Sequence, residues 1–375
     1  MLTIEKIDTS RKTDVKRFIR IPFRLYADHP QWVPPIIIDR EKQLNREEHP
    51  FYEHSEGDFF VAERDGLDAG SLAVFENRTF NRYHGTKQAQ FYFFECEDDQ
   101  EVASALFERA FDWAHERGLN AIVGPKGLGA LDGYGMLVEG FEHRQMMTMM
   151  NYNYPYYPEL VEALGFEKEV DFVSSYVYTA DFNLPERVHR IAERVQKRGK
   201  LRVQKFKNKR ELVSWADRIG KAYNQAFVNN WEYFPLTERE VKFVVDSILT
   251  IANPRLMKIM VHDEEVVGFL LGFPDISAAI QRSKGRLLPF GVIDMLLEMR
   301  RTDKISLNGV GILPEFQGHG GNALMYSEIE RTVKDFGFKH AELTQVAETA
   351  VTMRKDLENV GANHYKNHRV YIRHL

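Results

Sequence analysis

The chain has 375 residues, 43% of them hydrophobic and 28% charged, with a formal net charge of −5. That length suits two or three domains rather than one, and the mild acidity argues against a nucleic-acid partner, whose phosphates select a basic surface. A single cysteine, Cys96, excludes an internal disulfide and a cysteine-based zinc site, and no stretch approaches the roughly 18 apolar residues that span a bilayer, so a cytoplasmic protein without a membrane partner is expected.

Leu2 to Ile7 alternates apolar and polar residues and predicts a strand; helices follow, broken by the extended stretch Asp28 to Pro35 with its three prolines. Phe59 to Glu63 and Gly70 to Val74 predict a strand pair around the turn Arg64-Asp65-Gly66-Leu67, and Gln90 to Phe94 a further aromatic strand. The acidic stretch Glu95 to Glu101 follows as a loop. Val102 to Arg117 has helical spacing, closed by Gly118. Ala121-Ile122-Val123 leads into the glycine-rich loop Gly124 to Gly135. This loop lacks the Gly-Lys-Ser/Thr ending of a phosphate-binding P-loop and is expected to be a shaped connection.

A second pass begins near Leu201 and repeats the first. Leu201 to Phe206 matches Leu2 to Ile7 as a strand, and Glu211 to Phe227 predicts a helix. Ile259 to Gly268 echoes Phe60 to Gly70, Ala323 to Gly337 echoes Ala105 to Gly118, and Leu357 to Ala362 echoes Val161 to Phe166. The period is about 190 residues, which predicts two similar mixed α/β domains in tandem, each a central sheet flanked by helices. The expected boundaries are 1–180, a linker at 181–200, and 201–375, the last interrupted by an insertion at 277–301 that forms one or two helices over the site. The basic run from Lys197 to Arg210, eight cations in fourteen residues, is expected to be a solvated edge.

The richest stretch is Lys304 to Val333. An apolar-alternating run, Ile305 to Leu313, precedes Pro314, a glycine cluster (Gly318, Gly320, Gly321) and an apolar stripe at helical spacing (Ala323, Leu324, Ile329, Val333). Strand, glycine turn and helix in that order form an anion site, because the first free N–H groups of the helix face the turn and its dipole favours negative charge. Gln317, Gly320 and Asn322 fall on the three fixed positions of the Gln/Arg-x-x-Gly-x-Gly/Ala motif of the GNAT N-acyltransferase superfamily, which this stretch resembles. Asn322 departs from the pattern at the last position. The lead-in Ile312 to Gly318 resembles the family's Val-x-Pro-x-Tyr-Arg-Gly, and Tyr154 to Phe166 resembles the closing helix and Leu-Gly-Phe of a GNAT domain.

The resemblance implies a CoA-dependent N-acyltransferase in the second copy, with acetyl-CoA or another acyl-CoA as donor and a small or amino-acid-like amine as acceptor. It puts CoA along Val310, Gly311 and Ile312, and on Gln317, Gly318, His319, Gly320, Gly321, Asn322 and Ala323. A strand bulge that aims a backbone N–H at the thioester is expected near Asn308-Gly309-Val310. The family's tyrosine acid falls on Leu357, so Tyr365 is the candidate acid, with Glu342 or Glu348 as base and Asn308 beside the thioester. The first copy, with five carboxylates between Glu95 and Glu101, is expected to bind no CoA. Trp231 and Tyr233 after the second copy's first helix, and Tyr156 and Tyr157 at the end of the first, are the expected acceptor walls, between the copies. Thirteen histidines show no ligand spacing, so no metal is expected. A monomer or homodimer is expected. Two other readings stay open: a binding protein that holds acyl-CoA without turnover, and a tandem-GNAT aminoacyl transferase using charged tRNA, which the net acidity disfavours.

Overall fold

In the computed structural model, residues 1–129, 132–147, 150–180, 182–228, 230–231, 233–359 and 361–375 are described, the side chain of Thr250 apart. Expectations touching Ala130, Leu131, Asn229, Glu232 and Val360 lie, at those positions, outside the described residues. In chain order the elements are β1 (Leu2–Lys6), α1 (Lys12–Leu25), α2 (Ile37–Leu44), β2 (Glu56–Arg64), β3 (Leu67–Glu76), α3 (Arg78–His84), β4 (Gln88–Cys96), α4 (Gln100–Glu116), β5 (Ala121–Gly124), β6 (Met136–Glu139), α5 (Tyr157–Glu162) and β7 (Glu167–Tyr178). Then follow α6 (Glu186–Arg198), β8 (Arg202–Gln204), α7 (Lys209–Val213), α8 (Ala216–Ala226), α9 (Glu238–Ile251), β9 (Met257–His262), β10 (Glu265–Pro274), α10 (Ser277–Ser283) and α11 (Gly291–Arg301). The chain closes with β11 (Lys304–Ile312), α12 (Gly321–Phe336), β12 (His340–Ala347), α13 (Val351–Asn359) and β13 (Asn363–His374).

The chain divides into two compact units. Unit 1 comprises Met1–Val173, Ile276–Glu298 and Lys366–Leu375; unit 2 comprises Ser174–Asp275 and Met299–Tyr365. Both are mixed α/β and share one strand plan. In unit 1 the order β1-β2-β3-β4 is antiparallel, then β5 joins β4 in parallel. In unit 2 β8-β9-β10-β11 is antiparallel and β12 joins β11 in parallel. The predicted turn at Arg64 to Leu67 closes the β2–β3 hairpin, with Asp65 and Gly66 at positive φ, as a tight hairpin with right-handed twist requires.

The units depart from the expected boundaries in three places. Residues 366–375 pair with unit 1, Tyr371 opposite Gly124 and His374 opposite Ala121, so the last strand completes the first sheet. The segment 277–301, expected as one or two helices, forms two, α10 and α11, but Ile276–Glu298 belongs to unit 1. There Gln281 Nε2 donates to Pro30 O (2.9 Å) and Trp32 O (2.8 Å), and Ile37 N–H donates to Gly285 O (3.0 Å). The stretch 181–200, expected as a linker, holds α6, which packs against α12. The predicted helix from Glu211 to Phe227 is two helices, α7 and α8, separated at Ser214 and Trp215.

Unit 1 buries two clusters, one of Phe60, Leu72, Phe91, Leu106, Phe107 and Trp113 under α4, the other of Phe18, Phe51, Phe59 and Phe75 under α1. Unit 2 buries Met260, Leu270, Ile305, Ile312, Leu324, Ile329 and Val333 between the sheet and α12. Each fully buried side chain of this kind contributes about 1.5–3 kcal/mol, so these clusters set the frame on which the candidate site is held.

Candidate functional site

In unit 2 the parallel pairing of β11 with β12 runs from Lys304 opposite His340 to Leu307 opposite Leu343 and stops there. Both strands continue, β11 to Ile312 and β12 to Ala347, so a gap opens between them from Asn308 onward. On its other edge β11 stays paired with β10, but the register passes from Val310 opposite Leu270 to Asn308 opposite Leu271, leaving Gly309 as an extra residue. Gly309 has φ 78°, a left-handed conformation that glycine adopts without strain. The bulge also shifts the face alternation by one. Ile305, Leu307, Val310 and Ile312 all join the α12 core, while Ser306, Asn308 and Gly311 turn to the opposite face.

Leu313 N–H donates to Val267 O at 2.9 Å. Antiparallel alternation then directs the backbone groups of Val310 and Ile312 away from β10, into the gap. The Ile312 carbonyl is taken by Gln317 Nε2 at 3.0 Å. Beyond Pro314 the chain makes a single 3-10 turn, and Gly318 (φ 76°) and Gly320 (φ 83°) carry it into α12. Gly320 is the N-cap and has no side chain to offer; the first turn holds no acidic residue. The N–H groups of Gly321, Asn322 and Ala323 therefore face the turn uncapped, with the positive end of the helix dipole behind them. Asn322 Nδ2 lies 3.4 Å from Asp356 Oδ2, and His319 is exposed. Two of the glycines also have packing reasons. A Cβ on Gly320 would meet Val195 and Ile191 of α6 at 2.8 and 2.9 Å, and one on Gly311 would meet Ala226 of α8 at 2.8 Å.

The face of β11 and β12 away from α12 carries a buried polar group set. Ser306 Oγ and Thr344 Oγ1 are 2.9 Å apart. Asn308 is 8% exposed and its Nδ2 has no hydrogen-bond partner. Leaving a buried amide donor unpaired costs about 1–3 kcal/mol. Glu342, 2% exposed, is within hydrogen-bonding reach of the Tyr365 hydroxyl. Burial first, and then the Glu342 charge, push the Tyr365 phenol far above its ordinary range, so it holds its proton at any physiological pH. The structure thus brings Asn308, Glu342 and Tyr365 onto one unit. Glu348 lies half-buried past the end of β12. Leu357 is 4% exposed in the α12 core cluster, so that position offers no acid.

Of the expected acceptor walls, Tyr233 donates its hydroxyl to Asn224 O (2.8 Å), and Asn224 clamps Leu236 by both its side-chain atoms (3.0 and 3.1 Å), fixing the α8–α9 loop on which Trp231 lies half-buried. Sequence reasoning passed over Ser306, Thr344 and Asn224. The first two carried a signal, polar residues at every second position of otherwise apolar strands.

Unit 1 has the same gap and fills it with its own groups. The β4–β5 pairing ends at Gln90 opposite Val123, and β4 bulges at Phe93 (φ 52°). Past the bulge, Cys96 N–H donates to Tyr157 Oη (2.9 Å), Tyr157 donates to Glu95 Oε2 (3.1 Å), and Tyr156 donates to Cys96 O (2.8 Å). Tyr156 and Tyr157 thus spend their hydroxyls on β4. The helix end is occupied too. Asp99 accepts from Glu101 N–H (2.9 Å) and Val102 N–H (3.2 Å), and Arg64 pairs with Asp99 and Glu101. Among the described residues no group of three or more His, Cys, Asp or Glu could hold a metal ion.

No protein-family model matches the chain. A bacterial ceramide synthase of Caulobacter vibrioides (strain NA1000 / CB15N) is 30% identical, over 98% of this chain and 97% of its own length. Protein YghO of Escherichia coli (strain K12) is 27% identical, over 97% and 94%. Among solved structures, a tandem GNAT protein from the clavulanic acid biosynthesis pathway superposes with a TM-score of 0.59 over 100% of this chain and 98% of its own, at 11% identity. A GCN5-related N-acetyltransferase from Sphaerobacter thermophilus gives 0.53 over 100% and 95%, at 13% identity. Two copies of one strand plan, each splayed between its fourth and fifth strands, define the tandem GNAT class. The chain has the tandem GNAT fold. It belongs to the family of the Caulobacter bacterial ceramide synthase.

Proposed function

We propose that the protein transfers an acyl group from acyl-CoA to the primary amine of a long-chain amino alcohol of sphingoid type, at the gap of unit 2. The observation that carries the chemistry is the unpaired Nδ2 of Asn308 beside the Gly309 bulge, at the mouth of that gap. The acceptor class is taken from the Caulobacter relative, a ceramide synthase by name, and replaces the small or amino-acid-like amine expected from sequence.

The residues present fit acyl-CoA. Val310 and Ile312 offer backbone groups along the gap for the pantetheine amides, and the uncapped N–H groups of Gly321, Asn322 and Ala323 suit the pyrophosphate, with Gln317, Gly318 and His319 bordering the same turn. Bound there, acyl-CoA supplies an acyl group activated as a thioester. Glu342 takes the proton that the attacking amine must lose, and the neutral Tyr365 hydroxyl at its side orients that carboxylate and is the group able to donate a proton. Asn308 Nδ2 donates to the carbonyl oxygen as it gains negative charge. A C–N bond forms, the C–S bond breaks, and the thiolate accepts a proton. A thiolate leaves readily, so the missing tyrosine at Leu357 does not forbid transfer. It is, however, the observation that favours a second reading, a protein that binds acyl-CoA without turnover.

The test is thiol release and amide formation, by mass spectrometry, from acetyl-CoA and palmitoyl-CoA with sphinganine, octylamine and an amino acid as acceptors. Amide on sphinganine is the expected product. Tight acyl-CoA binding with no thiol released by any amine would establish the binding reading instead.

A further inference from the structure

Helix α11 presents its charged and apolar sides in reverse. Its carboxylates, Asp294 and Glu298, turn toward the protein's own α10, where Arg282 bonds to both, reaching Asp294 through Nε and Nη2 at 2.9 Å each. The outward side carries Val292, Ile293, Leu296 and Leu297, with Ile293 56% and Leu296 57% exposed. The preceding turn adds Leu288, 80% exposed, and Phe290, 74% exposed. A helix on a soluble surface keeps its apolar stripe inward and its charge outward, so six exposed apolar side chains in one stretch of ten residues call for a partner.

The surroundings of the patch say which partner. Lys284 and Arg286 precede it and Arg300 and Arg301 end it; all four are exposed, and none is in a side-chain ion pair, whereas both acids of the helix are already neutralised by Arg282. The patch is therefore apolar at its centre and cationic at both ends. A second copy of the chain fits this poorly. Paired across a two-fold axis, α11 would bring one pair of cations against another whichever way the helices ran. An anionic lipid surface fits it well, with apolar side chains entering the boundary between headgroups and acyl chains and cations at the level of the phosphates.

We propose that α11 and the turn before it dock the protein on bilayers containing anionic phospholipid. The contact lies in the plane of the membrane, since among the described residues no helix is long and apolar enough to cross one. The sequence-based expectation of no membrane partner rested on that length criterion, which an in-plane helix does not meet. The inference does not rest on the acyltransferase reading and stands or falls separately from it.

The experiment is flotation of the full chain with vesicles of phosphatidylcholine, alone or with 30% phosphatidylglycerol, at low salt and at about 0.5 M NaCl. Recovery with the anionic vesicles is expected, weaker in salt and weaker still on phosphatidylcholine alone. Phe290→Asp with Leu296→Asp should remove it, and Arg300→Gln with Arg301→Gln should weaken it by about fivefold per cation. All four positions are exposed, so circular-dichroism melts of these variants should match the parent and exclude misfolding. Failure of the parent to float with anionic vesicles, or equal flotation of parent and Phe290→Asp/Leu296→Asp, would overturn the proposal. So would a concentration-dependent dimer in sedimentation that the same variant abolishes, since the patch would then belong to a second copy.

Discussion

Asp99 and Gly320 stand at the same point of one repeated fold: each is the N-cap of the helix that follows its unit's fourth strand. Asp99 puts a carboxylate on the free N–H groups of α4, the group that a phosphate would otherwise supply, whereas Gly320 leaves the same groups of α12 bare. One substitution of type thus separates a closed helix end from an open one, and it agrees with the tyrosines that fill the gap beside β4.

A titration of the chain with CoA, followed by calorimetry, is therefore expected to give one site. Asp99→Ala should cost about 1 kcal/mol of stability through the lost cap. It should leave the stoichiometry at one, because Tyr156 and Tyr157 still occupy Cys96. Two sites in the parent chain would contradict this account.

Gly320 itself is a poor probe of the cofactor. Any side chain there meets Val195 and Ile191 and is strained by the positive φ, so loss of binding would not be distinguished from loss of packing. His319 lies on the same turn, is exposed, and can be changed without those costs. His319→Glu places a negative charge beside the bare N–H groups. At an exposed position such a charge acts with roughly 1 kcal/mol, so CoA should bind about fivefold more weakly, with the effect shrinking in high salt. Equal affinity in parent and variant at low ionic strength would remove the pyrophosphate from this turn.

Much of this was legible from residue order. The strand, glycine turn and helix from Ile305 to Val333 were read from alternation, the glycine cluster and helical spacing, all of which are local. The repeat of about 190 residues was legible for the same reason. The exchange of segments was not: nothing in the alternation of β13 says whether Tyr371 pairs with its own copy or with Gly124, because register is decided by long-range partners. Helix α6 escaped notice because charged residues crowd its sequence, and only Ala192 and Val195 are fully buried along it. The pairing of Tyr365 with Glu342 joins two strands through their side chains, which spacing along the chain does not encode.

Glu95 provides a pH test in unit 1. Burial pushes its carboxyl up to about 7 from the usual 4.5, with Tyr26, Tyr157 and Arg40 pulling the other way. Between those values the unfolded chain releases the proton first, so rising pH favours unfolding, and the loss levels off above about 7. The full effect is at most roughly 3 kcal/mol. Glu95→Gln keeps the site neutral, so its stability relative to the parent should rise between pH 5 and pH 8 in denaturant titrations. Parallel stability curves for the two chains would show that Glu95 is not protonated in the fold.

The remaining prediction separates three side chains by what each change should alter. Asn308→Leu replaces an unpaired buried amide by an apolar side chain of similar shape. Turnover should fall by about 10²–10³, the usual cost of an oxyanion donor, while stability holds or rises by up to about 1 kcal/mol, since the unpaired donor is gone. Glu342→Gln should lower kcat/KM by about 10²–10⁴, the usual contribution of a general base. Tyr365→Phe should lower kcat, because it removes the hydroxyl that burial and the Glu342 charge keep protonated and that orients Glu342. Acyl-CoA affinity should be nearly unchanged in all three. If Asn308→Leu turned over as fast as the parent, the amide at the mouth of the gap would have no part in transfer. If Glu342→Gln turned over as fast as the parent, the base would have to be sought elsewhere on β12 or beyond it.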